Sequence, residues 1–153
     1  MHANLYETDF YAWTIQQSKL LKNIDLPDLD VVNLVEEIES LGKQQRQELK
    51  NRLAILIGHI LKWDYQPTKR SKSWRVTIRS QRREIETLLL DNPSLKPYLP
   101  EAIARAYKAG LDLVILETPL DYQDLPEDCA YTLDQLFDPD FPNGLNDIEQ
   151  AKI

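Results

Sequence analysis

Glycine, cysteine, histidine and long apolar runs are what this sequence has least of, and each shortage closes off a class of protein. Only 4 Gly are spread over 153 residues, too few for a turn-rich sandwich or barrel. Cys129 is the sole cysteine. No disulfide can form within the chain, and a reducing, cytoplasmic setting is expected. No apolar run approaches the ~18 residues that a membrane-spanning helix needs. Met1 to Glu7 show no cationic stretch followed by an apolar one, so no secretory leader is expected. There is no Gly-x-Ser-x-Gly elbow, no phosphate loop and no dinucleotide fingerprint. Cys129 stands among Pro and acidic residues, where neighbouring carboxylates would raise a thiol pKa rather than activate it. Period-2 strand patterns and internal repeats are missing as well.

What remains is helical patterning. Apolar residues make up 42% of the chain and charged residues 28%, the balance of a soluble globular protein. The length suits one domain. A first helix is expected over 8–22, with Thr8 as cap. Asp30 caps a second through Leu41, where Val31, Leu34, Val35, Ile38 and Leu41 form one buried stripe. Gly42 reads as a C-terminal cap or bend. A third helix follows from Lys43 to about Trp63 or Tyr65. Its run Leu53-Ala54-Ile55-Leu56-Ile57 is apolar nearly all round, as in a helix crossing the centre of a bundle. Ser73 caps a fourth helix to Leu90. Asp91-Asn92-Pro93-Ser94 breaks the chain, and Pro100 opens a fifth helix to Glu117. The rest is irregular apart from a short helix over 132–137. It is too apolar to be disordered, with Tyr122, Leu125, Tyr131, Leu136 and Phe141, and should lie across the bundle at least to Phe141. The expected fold class is therefore all-α: a single-domain bundle of about five helices over 1–145, an irregular C-terminal segment, and a frayed tail over 146–153.

Charge is unevenly distributed. The net charge is −7, yet Lys69, Arg70, Lys72, Arg75, Arg79, Arg82 and Arg83 place seven cations in fifteen residues. From Asp112 to Glu149 there are eleven carboxylates and no Lys or Arg. Lys72, Arg75, Arg79, Arg82 and Arg83 fall within about 100° of helical arc. Trp63, Tyr65 and Trp74 flank the stretch. Guanidinium groups on one face suit phosphate or carboxylate, and interleaved aromatics suit stacked bases. Two readings stand side by side. In one, the cations pair with Glu86 and other acids of the same chain. In the other, this face binds an acidic protein or nucleic acid. A homodimer would set the basic segment of one copy against the acidic segment of another. The overall acidity disfavours general adhesion to nucleic acid or anionic membrane.

Two smaller groups complete the candidates. Arg52 and His59, seven apart, share a side of the third helix. An Arg and a His at such spacing resemble the motif of the higher-eukaryote-and-prokaryote nucleotide-binding domains, many of which are RNases. That resemblance implies a metal-independent nuclease, with His59 as general base or acid and Arg52 stabilising phosphate. Leu53 stands where those families usually place a polar residue. Glu36, Glu37 and Glu39 lack the Glu-x-x-His partners of a carboxylate bundle, so neither a metal nor another cofactor is expected. Glu37 is expected instead to meet Arg52 or His59 from a neighbouring helix, as a structural polar cluster.

The chain carries Asp9-Phe10-Tyr11-Ala12-Trp13, Glu36-Glu37-Ile38-Glu39-Ser40-Leu41-Gly42-Lys43 and His59-Ile60-Leu61-Lys62-Trp63. Tyr65-Gln66-Pro67, Ser73-Trp74, Gln81-Arg82, Pro93-Ser94-Leu95 and Glu117-Thr118 follow in order. On this series it resembles, over nearly its whole length, a mainly cyanobacterial family catalogued as domain of unknown function twenty-nine. The resemblance implies an all-helical fold. It implies no activity and brings no catalytic residues.

Overall fold

The computed structural model describes residues 5–147. Among them there are helices and no strand. A single turn, α1 (Leu5–Thr8), precedes α2 (Phe10–Lys22). Then come α3 (Val31–Tyr65), α4 (Lys72–Asp91), α5 (Leu99–Glu117) and the short α6 (Leu133–Phe137). Three 3-10 turns, Pro67–Lys69, Pro93–Tyr98 and Tyr122–Asp124, fill the connections.

Side-chain caps set the helix starts. Asp9 accepts from Ala12 N at 3.1 Å, Asp30 from Asn33 N at 3.3 Å, and Ser71 from Trp74 N at 3.2 Å. Ser71 therefore opens α4, two residues before the expected Ser73. Asp9 also accepts from Ser94 N at 2.8 Å and from its hydroxyl at 2.7 Å. One carboxylate thus caps α2 and anchors the 93–98 turn.

The second and third expected helices are one helix. α3 runs 35 residues without a break, about 52 Å. Gly42 is neither cap nor bend. A Cβ there would lie 2.5 Å from Thr14 Oγ1. The missing side chain lets α2 approach α3, against the ~1 kcal/mol that glycine costs a helix interior. The expected stripe divides accordingly. Val35 is buried, whereas Leu34 and Leu41 are about 40% exposed.

The core lies around the second half of α3, where Leu53, Leu56, Ile57, Ile60, Leu61 and Trp63 are buried. α5 crosses this half at a glycine pair. A Cβ on Gly110 would stand 3.1 Å from Ala54 O and 3.3 Å from Gly58 N. α4 runs antiparallel along another side. Asn92 Nδ2 donates to Gln45 Oε1 at 3.4 Å at one end, and the Lys62 ammonium sits 5.0 Å from the Trp74 ring centre at the other. The segment after α5 closes over the core through buried Leu125, Leu136 and Leu145. Tyr107 Oη donates to Pro126 O at 2.6 Å, Trp63 Nε1 to Asn143 O at 2.9 Å, and Tyr131 Oη to Asp64 at 2.6 Å. Of the tail expected to fray, Asn146 bonds Asp140 at 2.8 Å, and 148–153 lie outside the described residues.

Replacing Gly110 with alanine tests the crossing. The neighbours of its Cβ are backbone atoms and cannot rotate away. Overpacking of ~1–3 kcal/mol should exceed the ~1 kcal/mol gained in helix propensity. Urea unfolding should show Gly110→Ala less stable than wild type by about 1 kcal/mol. An unchanged or raised midpoint would mean that the helices part without cost.

Candidate functional site

The basic segment spans Lys69 and Arg70 before α4 and about three turns of α4 itself. The helix divides its cations by direction. Arg75 and Arg82 are buried, 4% and 5% exposed. Lys69, Lys72, Arg79 and Arg83 are exposed. Lys72, Val76, Arg79 and Arg83 follow i, i+4, i+7, i+11 and share the outer side of the helix.

Of the inward members, Arg82 holds the C-terminal segment by its backbone. Arg82 Nε donates to Leu136 O at 2.7 Å and Nη2 to Gln135 O at 3.2 Å. Burial lowers its pKa to about 10, against the pull of Asp138 and Glu86, so it stays charged at neutral pH. Arg70 Nε donates to Trp63 O at 2.9 Å, and its guanidinium lies 5.1 Å from the centre of the Trp63 ring. Gly144, at φ +82°, brings the chain close to the same guanidinium. Arg79 donates to the Asn146 side-chain oxygen. Of the two tryptophans assigned to this face, Trp63 is fully buried, and Trp74 is half-buried over Lys62.

Arg52 and His59 are on one side of α3 but are not joined. Arg52 Nε meets Glu48 at 3.1 Å, Nη1 donates to Gln81 at 3.3 Å, and Nη2 stands 3.9 Å from Glu84. His59 Nδ1 lies 2.8 Å from Ile55 O. A carbonyl only accepts, so Nδ1 carries the proton and Nε2 is the lone-pair nitrogen of the neutral ring. Burial lowers the His59 pKa below its ordinary 6.5, and Lys62 adds to this. The Ile55 carbonyl and Glu117 oppose it.

Glu37 does not reach this pair. It is exposed and stands on the same continuous helix, fifteen positions before Arg52, about 22 Å along the axis. The expected cluster of Glu37, Arg52 and His59 assumed a bend at Gly42 that folded one helix against the other. Cys129 is half-buried, and burial rather than neighbouring acid raises its thiol pKa. Among the described residues no group of three or more His, Cys, Asp and Glu could hold a metal ion, and no helix is long and apolar enough to cross a membrane.

Sequence reasoning passed over two sets of residues. Lys62 is 4% exposed, with its ammonium 3.2 Å from Glu117. An apolar-looking helix face hides such a lysine until its partners are known. Lys19, Lys22, Lys43 and Arg46 line one cleft between α2 and α3. Their signal was present as two i, i+3 cation pairs, which only the antiparallel pairing of the helices brings together.

The chain belongs to the family described as Domain of unknown function DUF29, which matches it over residues 5–142. No curated protein and no solved structure matches it.

Two outcomes follow from this geometry. Arg82→Ala leaves the Leu136 carbonyl without its donor and the Gln135 carbonyl with Asp138 N alone. It should cost ~1–3 kcal/mol in urea unfolding, whereas Arg83→Ala should stay within about 0.5 kcal/mol. Equal losses would contradict the division by direction. For His59 the folded chain resists a proton that the unfolded chain accepts. Its contribution is therefore intact above pH 6.5, is lost as pH falls through that value, and levels off below the lowered folded pKa. Unfolding free energy measured from about pH 7.5 to 5 should fall more steeply for wild type than for His59→Gln. Parallel curves would show that His59 does not titrate differently in the two states.

Proposed function

We propose that this member of the family is a non-enzymatic interaction module that docks a helix, supplied by a second copy of the chain, on the uncovered first half of α3. One observation carries the reading. Fifteen large apolar side chains are exposed among the described residues, and eight of them lie between Ile15 and Leu41. Exposure concentrated in the α2–α3 hairpin, with Val32, Leu34 and Leu41 on α3 itself, supports a contact surface there.

The geometry suits a helical occupant. Leu34, Leu41, Glu48, Arg52 and His59 fall within about 40° of one another around α3. α4 covers the later part of this line, through Gln81 and Glu84 at Arg52. It ends at Asp91, level with Gln45 through the Asn92 bond. Past that point Leu34 and Leu41, seven apart with half-buried Ile38 between them, continue the seam without a cover. Heptad spacing of this kind is the pattern that takes a second helix. Two copies laid antiparallel set Leu34 of one against Leu41 of the other, the self-complementary arrangement of a two-fold contact. The outer cations Lys69, Lys72 and Arg83 support a narrower role, steering an acidic partner from the rim. A nuclease built on Arg52 and His59 draws less support, because Arg52 is engaged by Glu48, Glu84 and Gln81.

Sedimentation equilibrium over a concentration series tests the proposal. Wild type should self-associate to a dimer. Leu34→Glu combined with Leu41→Glu should be monomeric with unchanged helix content. A wild-type chain that stays monomeric throughout the series would refute it.

A further inference from the structure

The opposite flank of α3 carries a different surface. Lys43 and Arg46 lie 140° or more round the helix from Leu41. With Lys19 and Lys22 of α2 they line a cleft of about 230 Å³. Its other walls include Tyr11, Ile15, Gly42 and Glu39. Four cations thus face one carboxylate, inside a protein of net charge −7. Glu39 is engaged by Lys22 at 3.4 Å in an exposed pair, which is worth little. No carboxylate lies within ion-pair distance of Lys19, Lys43 or Arg46 among the described residues.

Arg46 is held in an unusual way. Its guanidinium sits 4.3 Å from the centre of the Tyr98 ring and 5.4 Å from that of Tyr11. Its Nε is buried and has no hydrogen-bond partner. Ring contacts of this kind fix and partly desolvate a guanidinium without using its in-plane N–H donors. Tyr98 is itself positioned by the 93–98 turn, which Asp9 anchors through Ser94. The donors are therefore in place before anything binds. The Thr14 and Ser18 hydroxyls donate to Tyr11 O and Ile15 O of their own helix, so they form wall and not ligand contacts.

We propose that this cleft binds a small phosphate-type dianion, with Arg46 as its forked donor and Lys19 and Lys43 as flanking charges. Three cations without a carboxylate call for more than one negative charge. The surroundings select against a polyanion. Asp25, Asp28, Asp30, Glu36 and Glu37 crowd the adjacent end of the α2–α3 pair, where a nucleic-acid backbone leaving the cleft would be repelled. The inference does not depend on self-association, since the uncovered leucines lie on the other flank.

Isothermal titration calorimetry of the full chain with sodium pyrophosphate and inorganic phosphate, against sodium chloride at matched ionic strength, is the test. Saturable binding of the phosphate probes is expected, with none for chloride. Arg46→Lys keeps the charge but loses the fork and should weaken binding by about tenfold. Because Arg46 packs between two rings, the exposed pair Lys19→Gln with Lys43→Gln serves as the second variant and should weaken it by more than about tenfold. Vesicles of phosphatidylcholine with and without phosphatidic acid separate two sources of the same chemistry. Co-sedimentation that needs phosphatidic acid and is lost in the double variant assigns a lipid headgroup, and its absence beside pyrophosphate binding assigns a soluble ester. The proposal is overturned by no saturable heat, by variants that bind like wild type, or by single-stranded RNA competing more tightly than pyrophosphate.

Discussion

The closeness of approach to α3 is what the other elements depend on. Helices pack near 8–10 Å apart when ordinary side chains meet. Here glycine allows a tighter approach at both ends of the same helix. Gly42 admits Thr14 of α2 near one end, and Gly58 with Gly110 brings α5 against the other. Two glycines inside α3 look like defects by helix propensity. They are the points where its neighbours touch it. With α2 and α5 seated there, α4 occupies a third side, and the segment after α5 has one remaining face to cover.

That last face explains the arginines. An irregular segment carries carbonyls with no helical partner, and a buried carbonyl without a donor is costly. Guanidinium groups bring several donors each, so Arg82 serves two carbonyls of this segment, while Arg70 serves a carbonyl in the last turn of α3. Arginine suits this use better than lysine because its charge is spread and weakly hydrated, which lessens the cost of burial. Among the described residues, Arg70 and Arg82 put part of the positive charge concentrated before the acidic part of the chain to use through backbone oxygens.

Much of this was legible in the sequence. The all-helical class, the starts of α2 and α3 at Asp9 and Asp30 to within a residue, the break before Pro93 and the ordered path through Phe141 follow from caps, period and proline. The continuity of α3 was not legible, because a glycine that ends a helix and one that admits a neighbour look alike without the neighbour. The same gap hid the Arg46 cleft, whose residues lie far apart along the chain. It also misplaced Glu37, since a contact predicted across a bend disappears when the bend does. Arc geometry set the α4 cations on one arc, but the helix turns Arg75 and Arg82 inward and Lys72, Arg79 and Arg83 outward. Which part of that arc turns inward depended on the segment that covers it, more than fifty residues later.

Three hydrogen bonds span more than half of the chain. Tyr11 N reaches Asn92, Ser94 reaches Asp9, and Trp63 reaches Asn143, at separations of 81, 85 and 80 residues. A ribosome releases these partners in order, N-terminus first. α2 emerges with its Asp9 carboxylate serving one helix, and the second set of bonds waits until residue 94 is free. The tryptophan on α3 waits longer still, until Asn143 has been made. Until then the side of the central helix at Trp63 stands without its last cover. The segment after α5, short on regular structure over 118–147, is the last of the described residues to close over the core.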